Sequence, residues 1–331
     1  MSTAPRPLRI WAVSDGRAGI EAQVLGLAEA VARLRPALIT RKRIGWAHGL
    51  GRLPWRFIPP GLRTGDPIAA PWPDIWIAAG RATLPLSTRM LRWSEGRTFV
   101  VQTQDPRAPL DRFDLIVPPE HDGLAGPNVA PILGAPNRVT PETLALELAK
   151  FAPRLAHLPH PRVAVIVGGR SKAHRLPADH ARVLAKRIAG AVEAAGGSLL
   201  LSYTRRTPAP ARAAMSAELA RLPGIIWDGE GDNPYFAFLA AADAVMVTED
   251  STNLATDAAA TGKPLLVLPM IGHSAKLSRF HDELARRGIA RPFADSLEGK
   301  AYPPLAETDR AARELLLRYD GAEETPISTQ P

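Results

Sequence analysis

The chain has 331 residues, 46% hydrophobic and 22% charged, with no cysteine and a formal net charge of +8. This length favours two domains of roughly 150 residues, and the absence of cysteine excludes a thiolate nucleophile, an iron–sulfur cluster and a cysteine zinc site. No run of about 18 apolar residues occurs and residues 1–7 lack the apolar centre of a signal peptide, so a cytoplasmic protein without a spanning helix is expected.

Residues 8–13 read as a strand that runs into Ser14-Asp15-Gly16-Arg17-Ala18-Gly19 and an amphipathic helix over 20–34. Residues 33–63 then hold eight bases and no acid, with Trp46, Trp55 and Phe57 interleaved. Arg41, Lys42, Arg43, Arg52 and Arg56 with those aromatics would suit an anionic membrane surface or a lipid-linked acceptor. The plainer explanation is a general preference for arginine, since only 7 of the 41 bases are lysine. Strands follow over 74–79, 98–103 and 113–117, with a helix after Gly80 to about Trp93 and another over 141–151.

Pro153, Pro159 and Pro161 mark a linker, after which the pattern restarts. Strands over 162–167, 198–203, 225–227, 244–248 and 265–268 alternate with helices over 178–195, 210–221, 234–241, 252–261 and 276–287. Two such βαβ series describe an α/β protein of two doubly wound, Rossmann-like domains facing across a cleft. The expected division is 1–152 for an acceptor-side domain, 153–161 for the linker and 162–304 for a nucleotide-sugar domain. A helix over 305–319 would pack back on the first domain, and 320–331 would form a flexible tail.

Ligands of such sheets bind beyond the carboxyl ends of the strands, and four loops there carry chemistry. Gly168-Gly169-Arg170-Ser171-Lys172 offers close backbone approach and two phosphate-matching bases, although a Gly-Gly turn also serves structure alone. Thr204, Arg205 and Arg206 add hydroxyl and charge, or form a solvated turn. Asn233 caps a helix that Pro234 starts, and could also touch a base edge. Glu249, Asp250, Ser251, Asn253 and Asp257 lead into a small-residue helix whose N-terminus suits a diphosphate. Asp257 shares a face with Asn253 and could accept from ribose hydroxyls, while Glu249 and Asp250 would contact hydroxyls or cap the helix. In the first half, Asp15 and His121 are the candidate general bases, Asp15 being equally placed to cap a helix. No metal site is expected at Glu120-His121-Asp122, because adjacent residues do not converge on one ion. The remaining histidines are expected to face solvent.

Residues 251–264 and 269–288 resemble the donor half of the cell-wall N-acetylglucosaminyltransferase that makes lipid-linked muramyl disaccharide. That resemblance implies a ribose-binding acid at Asp257, where the family has Glu, followed by a polar loop. Six motifs in order are similar to the mitochondrial fission family of the elongated-mitochondria type. They are residues 15–19, 119–122, 168–172, 204–208, 232–235 and 248–251, with Ile20 departing from the polar residue expected before Glu21. Together the resemblances imply a glycosyltransferase-B architecture and a nucleoside diphosphate sugar, UDP-type, as donor rather than a tightly bound cofactor. Hexosyl or N-acetylhexosaminyl transfer follows as the leading expectation. A nucleotide-sugar epimerase and a non-catalytic scaffold are the alternatives. Nucleic-acid binding is set aside because charge alone, without a motif, supports it.

Overall fold

The computed structural model describes residues 6–324. The chain forms two compact units, residues 6–138 with 306–324, and Val139–Leu305. Each is built on a six-stranded sheet.

In the first unit, β1 (Leu8–Ser14) leads through α1 (Ala18–Leu34) to β2 (Ala37–Trp46). Three short 3-10 turns over 47–62 connect to β3 (Arg63–Gly65), and β4 (Ile75–Ala78), α2 (Leu84–Trp93), β5 (Phe99–Gln102) and β6 (Leu115–Ile116) complete the sheet. The strand order is β3-β2-β1-β4-β5-β6, all parallel except β3. β4 is buried along its whole length, and its alternation sorts the two faces. Ile75 and Ile77 join Ile10, Val24 and Leu27 in one core. Trp76 joins Leu86, Met90 and Phe113 in the other, with its indole donating to Ser87 Oγ at 3.0 Å.

The second unit opens with α3 (Pro141–Leu155), started by Thr140, whose Oγ1 accepts from Thr143 N–H at 3.1 Å. There follow β7 (Arg162–Val167), β8 (His174–Arg175), α4 (Ala178–Ala194), β9 (Ser198–Tyr203), α5 (Ala209–Leu219), β10 (Gly224–Trp227), α6 (Tyr235–Ala241) and β11 (Ala244–Thr248). Then come α7 (Thr252–Ala259), β12 (Leu265–Leu268), β13 (Ile271–Gly272), α8 (Ala275–Arg286) and β14 (Ala290–Pro292). The sheet is parallel in the order β10-β9-β7-β11-β12-β14. Val163, Val165 and Val167 with Leu199 and Leu201 bury one face against Leu184 and Ile188 of α4 and Met215 of α5. The two-residue strands β8 and β13 pair antiparallel as a separate two-stranded sheet.

The last element, α9 (Glu307–Glu324), belongs to the first unit and packs on α1. Ala311, Ala312, Leu315 and Tyr319 enter its core. Leu133 N–H donates to Glu307 and Asn137 N–H to Thr308 Oγ1, both at 3.0 Å.

Three expectations need correction. The division between units falls at Arg138, not in the proline stretch, because α3 packs on α6 and so belongs to the second unit. α9 continues to Glu324, so 320–324 are helical, while 325–331 lie outside the described residues. Residues 37–46, read only as part of a basic segment, form the ten-residue strand β2. Among the described residues, no helix is long and apolar enough to cross a membrane.

Candidate functional site

Strand order in the second unit reverses between β7 and β11, which lie side by side. Such a switch point leaves a crevice beyond the strand ends, because the connections from the two adjacent strands lead to opposite faces of the sheet. The loops that meet there are 168–172, 204–208 and 249–251.

A buried carboxylate organises them. Asp250 Oδ1 accepts from Thr248 Oγ1 at 2.7 Å, and Oδ2 accepts from Gly169 N–H at 3.1 Å. Arg206 Nη1 closes on the same Oδ2 at 2.6 Å. Thr248 Oγ1 in turn accepts from Gly168 N–H at 2.7 Å, and Thr207 Oγ1 donates to Val167 O at 2.9 Å. This network explains the glycines differently from the sequence reading. A Cβ on Gly168 would lie 2.1 Å from Asp250 Oδ1, and one on Gly169 would lie 2.1 Å from Arg206 O. Their bare backbones admit the chain's own carboxylate and carbonyl. Asp250 caps no helix: Ser251 Oγ does so, accepting from Leu254 N–H at the start of α7. Glu249 is committed too, with its Oε1 accepting from Met270 N–H at 2.6 Å.

What the network leaves open is positive. Arg170, Lys172 and Arg205 are exposed, and their side chains have no hydrogen-bond or ion-pair partner among the described residues. Ser171 and Thr204 serve their turns, Ser171 Oγ accepting from His174 N–H at 2.9 Å and Thr204 Oγ1 from Arg206 N–H at 3.3 Å. Three free bases at strand ends, beside a helix N-terminus, form a surface complementary to a diphosphate.

Asn253 lies on the first turn of α7 and Asp257 one turn on. Asp257 Oδ2 accepts from Tyr235 OH at 2.7 Å, and Asn233 Oδ1 accepts from Tyr235 N–H at 3.0 Å, which links the 232–235 motif to α7. Burial pushes the Asp257 carboxyl up to about 7, against the Tyr235 hydrogen bond, which favours the ionised form. A carboxyl raised on folding stabilises the fold below its unfolded pKa, and that contribution is lost as pH rises through the folded value. Asp257→Asn is therefore expected to exceed the wild type in stability above neutral pH. The gain is about 1–2 kcal/mol, reduced from the full shift because the carboxylate is only part-buried. Thermal melts at about pH 5 and about pH 8 check it; a variant no more stable at the higher value would contradict the shift.

Sequence reasoning missed a second feature of these loops. His174 on β8 is buried rather than solvent-facing, and His281 on α8 donates from Nε2 to Glu249 O at 2.9 Å. Both line a cavity of about 260 Å³ with Leu277 and Phe293. Their isolated positions in sequence carry no signal; only the β8–β13 pairing brings His174 over the ends of β11 and β12.

The family model described as Mitochondrial fission ELM1 matches residues 18–319. The chain belongs to that family. The mitochondrial fission protein ELM1 of Arabidopsis thaliana is 32% identical over 277 residues, 74% of this chain. The match spans 65% of the plant protein's length. An uncharacterized protein of Rickettsia prowazekii (strain Madrid E) is 27% identical over 353 residues, covering 92% of this chain and 97% of that one. Among solved structures, the UDP-GlcNAc 2-epimerase of Methanocaldococcus jannaschii matches with a TM-score of 0.54 at 11% identity, over 94% of this chain and 100% of that chain. In its complex with UDP-GlcNAc and UDP the TM-score is 0.52. At that identity the likeness is one of fold, the glycosyltransferase-B type with two Rossmann-like units.

In this member of the ELM1 family, the candidate residues of the first unit are held as follows. Asp15 Oδ1 accepts from Arg17 N–H at 3.1 Å and Oδ2 pairs with Arg17 Nε at 2.7 Å, a turn that starts α1. His121 is buried on a 3-10 turn, with Nε2 3.9 Å from Asp122 Oδ1. Part of the basic segment is paired within the unit. Arg43 grips Glu21 of α1 at 2.7 and 2.9 Å, Arg41 lies 3.9 Å from the same carboxylate, and the Arg43 contacts hold the Glu21 carboxyl below its usual range. Lys42 points to the other face, over the Trp11 ring and onto Pro67 O. Trp46 donates to Ala82 O at 2.9 Å, and both Trp46 and Trp55 pack on the core, so neither is a free apolar wedge. Arg52, Arg56 and Phe57 remain exposed, with Arg56 stacked over Phe57.

Proposed function

We propose that the second unit binds the diphosphate of a UDP-type nucleotide sugar and that the chain transfers the sugar to an acceptor hydroxyl. The observation that carries this reading is the grouping of Arg170, Lys172 and Arg205, partnerless among the described residues, at the switch point of a Rossmann-like sheet. The start of α7 adds the positive end of its helix dipole, and Asp257 is the candidate acceptor for ribose hydroxyls. The archaeal epimerase that shares the fold holds UDP-GlcNAc and UDP, which supports the choice of nucleotide. In the transfer, the acceptor oxygen bonds to the anomeric carbon while the bond from that carbon to the diphosphate breaks. The three bases would stabilise the departing diphosphate, and Asp15 or His121 would take the acceptor proton.

Calorimetric titration of the full chain with UDP and UDP-GlcNAc tests the binding. Replacing Arg170, Lys172 and Arg205 together by alanine is expected to weaken it by about 2–3 kcal/mol, from lost charge-assisted hydrogen bonds. Equal affinity in wild type and variant would remove the site.

A second reading, binding without turnover, has its own observation. Asp15, Asp250 and Asp257 each already accept a hydrogen bond within the chain, so none stands free as a base. UDP-sugar binding without release of UDP in the presence of candidate acceptors would favour it.

A further inference from the structure

The first unit contains a cavity of about 310 Å³ walled by Trp55, Thr88, Arg89, Arg92, Pro109 and Arg112. Half of this wall is arginine and none of it is acidic. Thr88, Arg89 and Arg92 come from one side of α2, where residues three and four apart are neighbours. Pro109 and Arg112 come from the turn after β5, and Trp55 from the 3-10 turn over Trp55–Phe57. Arg89 uses one nitrogen on Pro85 O, at 2.6 Å, and keeps its other donors. Arg92 and Arg112 are exposed, with no side-chain hydrogen bond or ion pair among the described residues. A place at the C-terminal end of α2 accounts for Arg92, through the helix dipole, but not for Arg89 or Arg112.

Three guanidinium groups around one small space repel each other, and the balance turns favourable when a multiply charged anion enters. Phosphate fits their planar donor geometry. Exposed apolar side chains flank the lining residue Trp55 in sequence. Leu53 and Phe57, two residues to either side of Trp55, are 42% and 61% exposed. We propose that this pocket is a binding site for a phosphate ester, carried on a small soluble molecule or on a lipid whose chain would meet Leu53 and Phe57. The site stands independently of the nucleotide reading, which concerns the other unit.

The test uses the full chain and an Arg92→Ser/Arg112→Ser variant, whose fold is checked by circular dichroism. Since neither arginine holds a partner among the described residues, the variant should fold. One arm titrates glycerol phosphate by calorimetry. The other sediments the protein with phosphatidylcholine vesicles, with and without phosphatidic acid. The wild type is expected to bind in at least one arm, and the double variant to bind about tenfold more weakly there. Vesicle binding that needs phosphatidic acid and is lost in a Leu53→Ser/Phe57→Ser variant assigns a lipid. Binding of glycerol phosphate alone assigns a soluble ester. Absence of binding in both arms, or equal binding by wild type and the arginine variant, overturns the proposal.

Discussion

Gly168→Ala is expected to destabilise the second unit by about 3 kcal/mol or more, as overpacking into a site that cannot yield. The new methyl carbon would stand 2.1 Å from Asp250 Oδ1. That oxygen cannot retreat, because Thr248, Gly169 and Arg206 all hold its carboxylate from different elements. The clash has one owner, which gives a sharper form of the result. Asp250→Ala should itself cost about 2–4 kcal/mol, since buried donors lose their acceptor while half-exposed Arg206 recovers water. In that background the room formerly filled by the carboxylate is vacant, so Gly168→Ala should cost far less than in the wild type. Urea denaturation of the four proteins in the cycle measures the coupling. Strictly additive costs would mean that the glycine is required for some reason other than Asp250.

Gly26→Ala is the second large effect, and its sign depends on a competition. Gly26 lies in the middle of α1, where alanine normally gains about 1 kcal/mol from helix propensity. Here a Cβ would meet Asn137 O at 2.3 Å and Asn137 C at 2.6 Å. Those are backbone atoms, and Asn137 is pinned by its N–H to Thr308 Oγ1 of α9. The clash should win, for a net loss of about 2–3 kcal/mol and a lower melting temperature. A melting temperature unchanged or raised would show that the 135–138 segment moves freely.

Much of this architecture was legible in the sequence, for reasons that particular segments illustrate. Residues 163–167 and 244–247 are unbroken apolar runs, as expected for strands buried on both faces of a parallel sheet. β2 was not legible, because Arg41-Lys42-Arg43 interrupts any apolar period. The charges are accommodated only by partners distant in sequence, Glu21 on α1 and the ring of Trp11. β8 and β13 are two residues each, too short for any periodicity to register. At the candidate site, hydroxyl, glycine and basic residues after strands marked the loops that meet beside β7 and β11. Their internal division of labour was hidden: Gly169 and Asp250 are 81 positions apart, and nothing local pairs them. Gly168, Gly169 and Asp250, which loop composition suggests as ligand contacts, also form a brace among themselves.

The placement of α9 also bears on how the molecule is made. The chain leaves the first unit after Arg138, completes all of Val139–Leu305, and only then supplies the helix that covers α1. During vectorial synthesis the second unit can therefore reach its native state while the first still lacks Ala311, Ala312, Leu315 and Tyr319. Until then, α1 and the core it shares with α9 lack part of their cover, and exposed apolar surface of that kind is prone to association in incomplete chains. The unit whose sequence begins first is thus the one that finishes last.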